Sequence, residues 1–187
     1  MKEIEILVEV KDDIDTVKNK LKKFEYAGLN HTVDEYYYDP LRDNLKPDNN
    51  NQLANCLRLR SKNDNYYVTY KNDVFEGEKW LYSNEYETKI ESIEMMKEVF
   101  ERLGLKRFLE IDNNKEIYKT DKYEIALEDV KDLGIFLEVE YCTNEDVDVF
   151  KIKEEIQKFI DKLGINVSEE LNMGKPEMYM HKHNINF

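Results

Sequence analysis

The chain has 187 residues, with 41 acidic residues against 28 Lys and Arg, and its formal net charge is −13. This excess of negative charge excludes nucleic acid as a main ligand, because phosphate backbones are held by a surplus of Lys and Arg. The apolar runs are too short to span a membrane, and a strand pattern stands where a signal sequence would begin. We therefore expect one domain over residues 1–187, in the cytoplasm, with no membrane partner and with any basic site local and enclosed.

The first element is a strand in KEIEILVEV, where apolar and acidic residues alternate. Because a strand sends successive side chains to opposite faces, Ile4, Ile6 and Val8 share one face, while Glu3 and Glu5 share the other. The apolar stripe that follows predicts a helix over about residues 13–27, with a stop at Gly28.

The middle of the chain repeats this alternation with charges of both signs. The charged positions are Arg58 and Arg60 in CLRLRS, Lys71 in YYVTYK, and Glu85 and Glu87 in NEYET. Short connections at residues 38–40, 62–65 and 113–114 favour a mostly antiparallel sheet. The loop over residues 41–55 is either a mobile cover or a solvated excursion.

Two more helices are predicted over about residues 92–103 and 146–163, each ending at a glycine. Between them IFLEVE places Glu138 and Glu140 on one face of a strand. Cys56 and Cys142 are too few and too far apart in sequence for a zinc site, so we expect free buried thiols. The HKH near the C-terminus is expected to lie on the surface.

The polar strand faces would line a common interior if the strands formed one closed sheet. An open sheet exposing these residues to water is the alternative for any single pair. Repetition along several strands favours an enclosed site, because buried charges must be satisfied by opposite charges, metal or ligand. Carboxylates suit Mg²⁺ or Mn²⁺, whereas Arg and Lys suit polyphosphate oxygens. The chemistry predicted is metal-assisted phosphoryl or nucleotidyl transfer.

The order of these motifs resembles the CYTH superfamily of triphosphate tunnel metalloenzymes, most closely the branch with class IV adenylyl cyclases. Thiamine triphosphatases and inorganic triphosphatases are relatives of that branch. The resemblance covers most of the chain. It rests on the N-terminal ExE strand, DEYYYD at 34–39, LRLR at 57–60, TYK at 69–71, NEYET at 84–88, LEDVKDLG at 127–134 and FLEVE at 136–140.

The resemblance implies an α+β fold, a closed eight-stranded antiparallel β-barrel with about three flanking helices. It also implies a role for each charged position. Glu3, Glu5, Glu138 and Glu140 would hold the metal, Mg²⁺ or Mn²⁺. The triphosphate would be bound by Arg58, Arg60, Lys71, Lys115 and Lys175. Glu85 and Glu87 would line the tunnel wall, and the catalytic residues would be Glu5, Glu128 and Glu138.

The chain departs from the family pattern at several positions. Leu7 stands where the family has lysine, Asn113 precedes Lys115 where it has K-x-R, and Ser83 replaces a basic residue. Glu128 stands where an aspartate is usual. Each lost cation removes a contact worth roughly 1.5 to 3 kcal/mol. We therefore expect that the phosphate-binding set has lost more of the family's residues than the metal-binding set.

Three functions stay open on the sequence. The first is an enzyme that cleaves a nucleoside triphosphate or another triphosphate, as an adenylyl cyclase or as a phosphohydrolase. The second is a noncatalytic binder of a nucleotide or polyphosphate. The third is a domain that keeps the fold for protein interactions alone. The sequence also leaves open a homodimer.

Overall fold

The computed structural model describes residues 1–187 and contains eight strands and four α-helices. The strands are β1 (Lys2–Glu9), β2 (Glu25–Tyr38), β3 (Asn55–Lys62), β4 (Asn65–Glu76), β5 (Lys79–Ile90), β6 (Lys106–Lys119), β7 (Glu124–Val130) and β8 (Gly134–Thr143). The helices are α1 (Ile14–Leu21), α2 (Ile93–Arg102), α3 (Val149–Leu163) and α4 (Lys175–His183).

The eight strands close into one antiparallel barrel, in the order β1-β5-β4-β3-β2-β6-β7-β8. This confirms the antiparallel sheet predicted from the alternating segments, and the α+β fold and closed barrel that the family resemblance implies. The tight β3–β4 turn is also confirmed, with Asn63 and Asp64 in the left-handed region. The turn expected at residues 113–114 is wrong, because these residues lie inside β6 and pair with both β2 and β7.

The helix predicted over residues 13–27 is half the expected length. Asp13 caps it by accepting a hydrogen bond from the Thr16 backbone N–H, but the helix ends at Leu21. Residues 25–27 join β2 instead, because pairing with β6 outweighs the local helical pattern. Gly28 has φ of 122° and sits at an irregularity in the β2–β6 ladder, so it permits a bulge and does not stop a helix.

The outer surface of the barrel is covered by helices on two sides. α1 and α3 pack on β1, β7 and β8 in a cluster of 16 buried apolar residues that includes Ile4, Ile6 and Ile156. α2 covers β2 and β3 through Ile93 and Phe100. On β1, β3 and β8 the apolar face therefore points outward under the helices, and the charged face points into the barrel.

α4 was not predicted, and it covers one end of the barrel. Its Met180 is fully buried against Leu7, Leu53 and Leu109. The loop before β3 packs on this helix, since the Leu53 N–H donates to the Glu177 Oε1, 3.3 Å away. His181 and His183 lie on its exposed face, as expected of surface residues.

The wall between β1 and β5 is incomplete, because these two strands share only the pairs Lys2 with Asn84 and Glu3 with Ser83. Residues 166–172 run along the rest of β1. The backbone N–H of Ser168 donates to the Glu9 carbonyl at 2.9 Å, and that of Leu171 donates to the Leu7 carbonyl at 3.0 Å. None of the four helices has the length and apolar character that a membrane span requires.

Candidate metal and triphosphate site

The barrel encloses a cavity whose lining is dominated by charge. Of 27 lining residues only 6 are hydrophobic, whereas ten are acidic and six are basic. The charged strand faces therefore share one interior, and the open-sheet alternative is excluded. Eleven of the twelve predicted site residues line this cavity, and only Glu128 does not.

Four carboxylates on β1 and β8 form what we call the carboxylate ladder: Glu3, Glu5, Glu138 and Glu140. Glu5 stands directly opposite Glu140 in the strand register. The side chain of Glu5 has no hydrogen-bonding partner, although the residue is only 6% exposed. Burial and the nearby Glu138 charge raise the pKa of Glu5 well above its ordinary value. Burial and Glu3 raise the pKa of Glu140 to about 8.

On the opposite side of the cavity, formed by β2 to β5, positive side chains are paired with carboxylates. We call the three cations Arg58, Arg60 and Lys71 the cation wall. Arg60 makes two hydrogen bonds to Asp34, Nε to Oδ1 at 2.7 Å and Nη2 to Oδ2 at 2.6 Å. Lys71 lies 2.9 Å from Glu85 and also pairs with Glu3. Although burial disfavours its ionisation, Lys71 and Arg58 lower the pKa of Glu85 to about 2.

Arg58 is held less tightly than its neighbour. Its guanidinium nitrogens lie 3.8 Å from Asp34, 3.8 Å from Glu85 and 3.6 Å from Glu87. Its Nε is buried and has no hydrogen-bond partner. These long distances leave several donors of Arg58 available to an anion in the cavity.

Two lysines join the cation wall to the ladder at the end covered by α4. Lys175 Nζ lies 3.0 Å from Glu128 and 2.6 Å from Glu138. Lys115 Nζ lies 2.8 Å from Glu128 and 3.7 Å from Glu138. Burial opposes the charge of Lys175, but Glu128 and Glu138 raise its pKa above the ordinary value. Glu128 is 0% exposed and stands behind both lysines.

The positions that depart from the family pattern have specific neighbours. Leu7 is buried and pairs in register with Glu138, where α4 supplies Lys175 as the nearby cation. Asn113 Nδ2 donates to Glu128 Oε2 at 2.7 Å. Ser83 Oγ donates to Asp73 Oδ1 at 2.6 Å. The carboxylate opposite Leu7 is thus paired with a cation from the C-terminal helix.

Four acidic residues in the lining had no predicted role: Asp34, Asp73, Glu124 and Glu177. Asp34 could have been found, because DEYYYD alternates and sets Asp34 opposite Arg60 across β2 and β3. Glu177 lies on the unpredicted helix, where burial and Asp73 raise its pKa to about 7. The two cysteines are free, as expected, but Cys142 is exposed, so its predicted burial is wrong.

The carboxylate ladder suits a hard divalent cation. One donor oxygen from each of Glu5, Glu138 and Glu140 lies within 4.8 Å of the other two. Mg²⁺ and Mn²⁺ prefer such oxygen ligands, and Glu5 has no protein cation of its own to be displaced. Crowded, buried carboxylates also gain more from a divalent ion than exposed ones do.

Comparisons with known proteins agree with this geometry. The CYTH domain family matches residues 1–171. A protein of Methanocaldococcus jannaschii that is named for a proposed adenylate cyclase activity is 33% identical over 168 residues, covering 89% of this chain and 91% of that protein. A solved Pyrococcus horikoshii structure has a TM-score of 0.81 at 26% identity, covering 96% of this chain and 99% of its own. A second structure from that organism has a TM-score of 0.77 at 23% identity, covering 94% and 98%.

Proposed function

Since this chain belongs to the CYTH family, and its barrel sets a carboxylate ladder opposite a cation wall, we propose that it binds a triphosphate with a divalent metal and cleaves it. The observation that carries the proposal is that one cavity contains both unpaired carboxylates and an arginine with free donors. Unpaired carboxylates on β1 and β8 suit Mg²⁺ or Mn²⁺, and Arg58 faces them with free donors. The two sets match the two charged parts of a metal–triphosphate complex.

The cation wall would bind the phosphate chain through its nonbridging oxygens. Arg58 has the most available donors, whereas Arg60 and Lys71 must share their charge with Asp34 and Glu85. Lys115 and Lys175 would bind the end of the chain nearest α4. Glu128 touches both lysines but does not line the cavity, so we assign it a positioning role.

Glu3, Glu5, Glu138 and Glu140 would hold the divalent ion. When bound, that ion supplies charge neutralisation for the phosphoryl group and its leaving oxygen. The side chains themselves contribute orientation and exclusion of water, because the reacting phosphate would be fixed between two charged walls in an enclosed site. Glu5 and Glu138 are the residues on which we expect turnover to depend most.

The cavity favours a phosphohydrolase acting on a short polyphosphate. Its internal volume is about 180 Å³. Pockets that enclose drug-sized ligands measure about 300 to 1,000 Å³. Only Tyr36 and Trp80 among the lining residues are aromatic, and both are buried, so an adenine clamp is not prominent. An adenylyl cyclase is the second candidate, supported by the name of the Methanocaldococcus relative.

The first experiment compares binding with product formation. Metal-free protein is mixed with Mg²⁺ or Mn²⁺ and with tripolyphosphate, ATP or thiamine triphosphate, and its thermal midpoint is measured. A ligand that binds only the folded state must raise the midpoint. Released phosphate would identify a phosphohydrolase and cyclic AMP a cyclase. A metal-dependent shift without product would indicate a noncatalytic binder, and no shift with any triphosphate would refute the proposal.

A matched pair of variants ties the result to the ladder. Glu5→Gln removes the unpaired carboxylate, whereas Glu9→Gln changes the same residue type on the same strand at an exposed position outside the cavity. We expect turnover to be lost in the first variant and kept in the second. Equal turnover in both would remove Glu5 from the site.

A further inference from the structure

The ladder continues beyond its carboxylates into a cysteine. Cys142 follows Glu140 by two residues on β8 and pairs in register with Glu3 on β1. The next rung holds Glu5 opposite Glu140. Because directly opposed residues bring their Cβ atoms to about 4.5 to 5.5 Å, these two rungs set four donor side chains in one patch.

The donor atoms of this patch are close enough to share an ion. One atom from each of Glu3, Glu140 and Cys142 lies within 4.8 Å of the other two. Cys142 Sγ donates a hydrogen bond to Glu140 Oε1 at 2.6 Å, so the thiol points at the carboxylate. Glu5, which is 6% exposed and has no partner, lies against the same Glu140 from the neighbouring rung. An unsatisfied buried carboxylate beside three further donors is a charge that a bound cation would balance.

We propose that Glu3, Glu140 and Cys142 form a site for a thiophilic divalent cation, Zn²⁺ above all, at the outer part of the ladder. Sulfur is a soft ligand that Zn²⁺ accepts and that Mg²⁺ does not favour. Two carboxylates and one thiolate leave one tetrahedral position open. On binding, the Cys142 thiol loses its proton to solvent and the metal–sulfur bond forms.

Two features of the surrounding residues allow Zn²⁺ to bind to Glu3 and Cys142. Lys71, the cation that pairs with Glu3, also pairs with Glu85, which can keep it when Glu3 turns to the metal. Cys142 itself is exposed, so the ion has a direct entry path. The prediction from the sequence concerned Cys56 and Cys142 together, whereas the site proposed here combines Cys142 alone with two glutamates.

This inference rests on the proposed function, in which the carboxylate ladder binds a divalent metal. It adds that different metals bind at different positions of the ladder. Glu140 belongs to both donor sets. Zn²⁺ at the outer position would therefore compete with Mg²⁺ or Mn²⁺ for Glu140, and the chain would be held in an inhibited state until the zinc is removed.

The test measures metal binding directly, on the full chain without triphosphate. Wild type, Cys142→Ser and Cys56→Ser are stripped of metal and titrated with Zn²⁺ by calorimetry, and with Cd²⁺ by the ultraviolet absorption of its thiolate complex. Cys56 is the control, because it is the second free thiol and belongs to neither donor set. We expect Cys142→Ser to lose the cadmium band and to bind Zn²⁺ at least about tenfold more weakly. Cys56→Ser should match wild type.

A second measurement uses the unmodified protein. Zn²⁺ should slow alkylation of Cys142 but not of Cys56, and Mg²⁺ should slow neither. Equal Zn²⁺ affinity in wild type and Cys142→Ser, or no protection of Cys142, would overturn the zinc site. If Mg²⁺ or Mn²⁺ still supports triphosphate cleavage in that case, only this inference fails. If zinc engages Cys142 while no triphosphate binds, the zinc site stands and the proposed function fails.

Discussion

The two walls of the cavity neutralise their charges in opposite ways. On β2 to β5, Arg58, Arg60 and Lys71 each have a carboxylate within 4 Å, and the pKa of Glu85 is lowered to about 2. On β1 and β8, Glu5 and Glu140 crowd together without a cation, and the pKa of Glu140 is raised to about 8. One wall is satisfied by the protein itself, whereas the other depends on an added ion.

Glu138 lies at the boundary and shows that strand position alone does not decide the outcome. It stands on the same face of β8 as Glu140, yet Lys115 and Lys175 overcome its burial and lower its pKa. Two residues along one strand thus separate a carboxylate that is kept ionised from one that retains a proton. The difference comes from Lys115 on β6 and Lys175 on α4, which both lie within 4 Å of Glu138, whereas neither forms an ion pair with Glu140.

The largest expected effect comes from replacing one ladder carboxylate of each kind. Glu5→Gln and Glu138→Gln should each lower metal-dependent turnover by at least about 100-fold, the scale for losing a group that stabilises transition-state charge. Their stabilities should differ. Without metal, Glu5→Gln removes repulsion and should keep or raise the thermal midpoint. Glu138→Gln leaves Lys175 and Lys115 with one carboxylate fewer and should cost up to about 3 to 5 kcal/mol.

Calorimetric unfolding of both variants would check this contrast. If both fell equally in stability, the carboxylate ladder would not hold two electrostatic classes, and the comparison between the walls would be wrong. Wild-type turnover in either variant would exclude that residue from the site.

The second largest effect is expected in the pH dependence of stability, which should differ between the carboxylate ladder and the cation wall. Folded Glu140 keeps its proton up to about pH 8, whereas in the unfolded chain it ionises near its ordinary value of 4.5. The folded state therefore binds more protons across this window, and stability falls as pH rises by up to about 1.4 kcal/mol per unit. Glu140→Gln should flatten the decline in metal-free protein, and Glu9→Gln should not. A wild-type slope in Glu140→Gln would contradict the raised pKa.

Arginine replacements on the cation wall should have the next effect. Arg58→Ala should weaken tripolyphosphate binding by roughly 10- to 100-fold, since a hydrogen bond to a charged group contributes about 1.5 to 3 kcal/mol. Arg60→Ala should weaken it less, because Arg60 already spends two donors on Asp34. Calorimetric titration gives the two dissociation constants. Arg102→Ala is the control, because the Arg102 side chain on α2 is exposed. The reverse ranking would mean that Asp34 releases Arg60 to the ligand.

The smallest effect is expected outside the cavity. Glu154 and Lys158 form an exposed pair one turn apart on α3, with side chains 65% and 62% exposed. Glu154→Gln should change the free energy of unfolding by less than about 0.5 kcal/mol and leave turnover unchanged. A larger change would show that charge outside the barrel contributes to the difference between the walls.

The direction of the charged side chains could be predicted from the sequence because each strand reports its two faces by alternation, whereas the closure of the barrel was implied by the family resemblance. Glu3 and Glu5, or Arg58 and Arg60, have a fixed direction once the apolar face is placed under a helix. Partner choice could not be predicted in the same way. Glu138 is paired partly by Lys175 on α4, whose pattern is weak and which lies beyond the family match at residue 171. α1 was overestimated because β2–β6 pairing decides the conformation of residues 25–27.

The incomplete contact between β1 and β5 has a practical consequence for shortened forms of the chain. Residues 166–172 occupy the free backbone groups of β1, so a form ending before Asn166 would expose a strand edge on which other chains could assemble. A form ending at Leu171, where the family match ends, would keep Leu171 on β1 and the edge largely covered. It would, however, lack Lys175 and so leave Glu128 and Glu138 without that cation. Aggregation and loss of charge balance can thus be produced separately, by cutting the chain at points only a few residues apart.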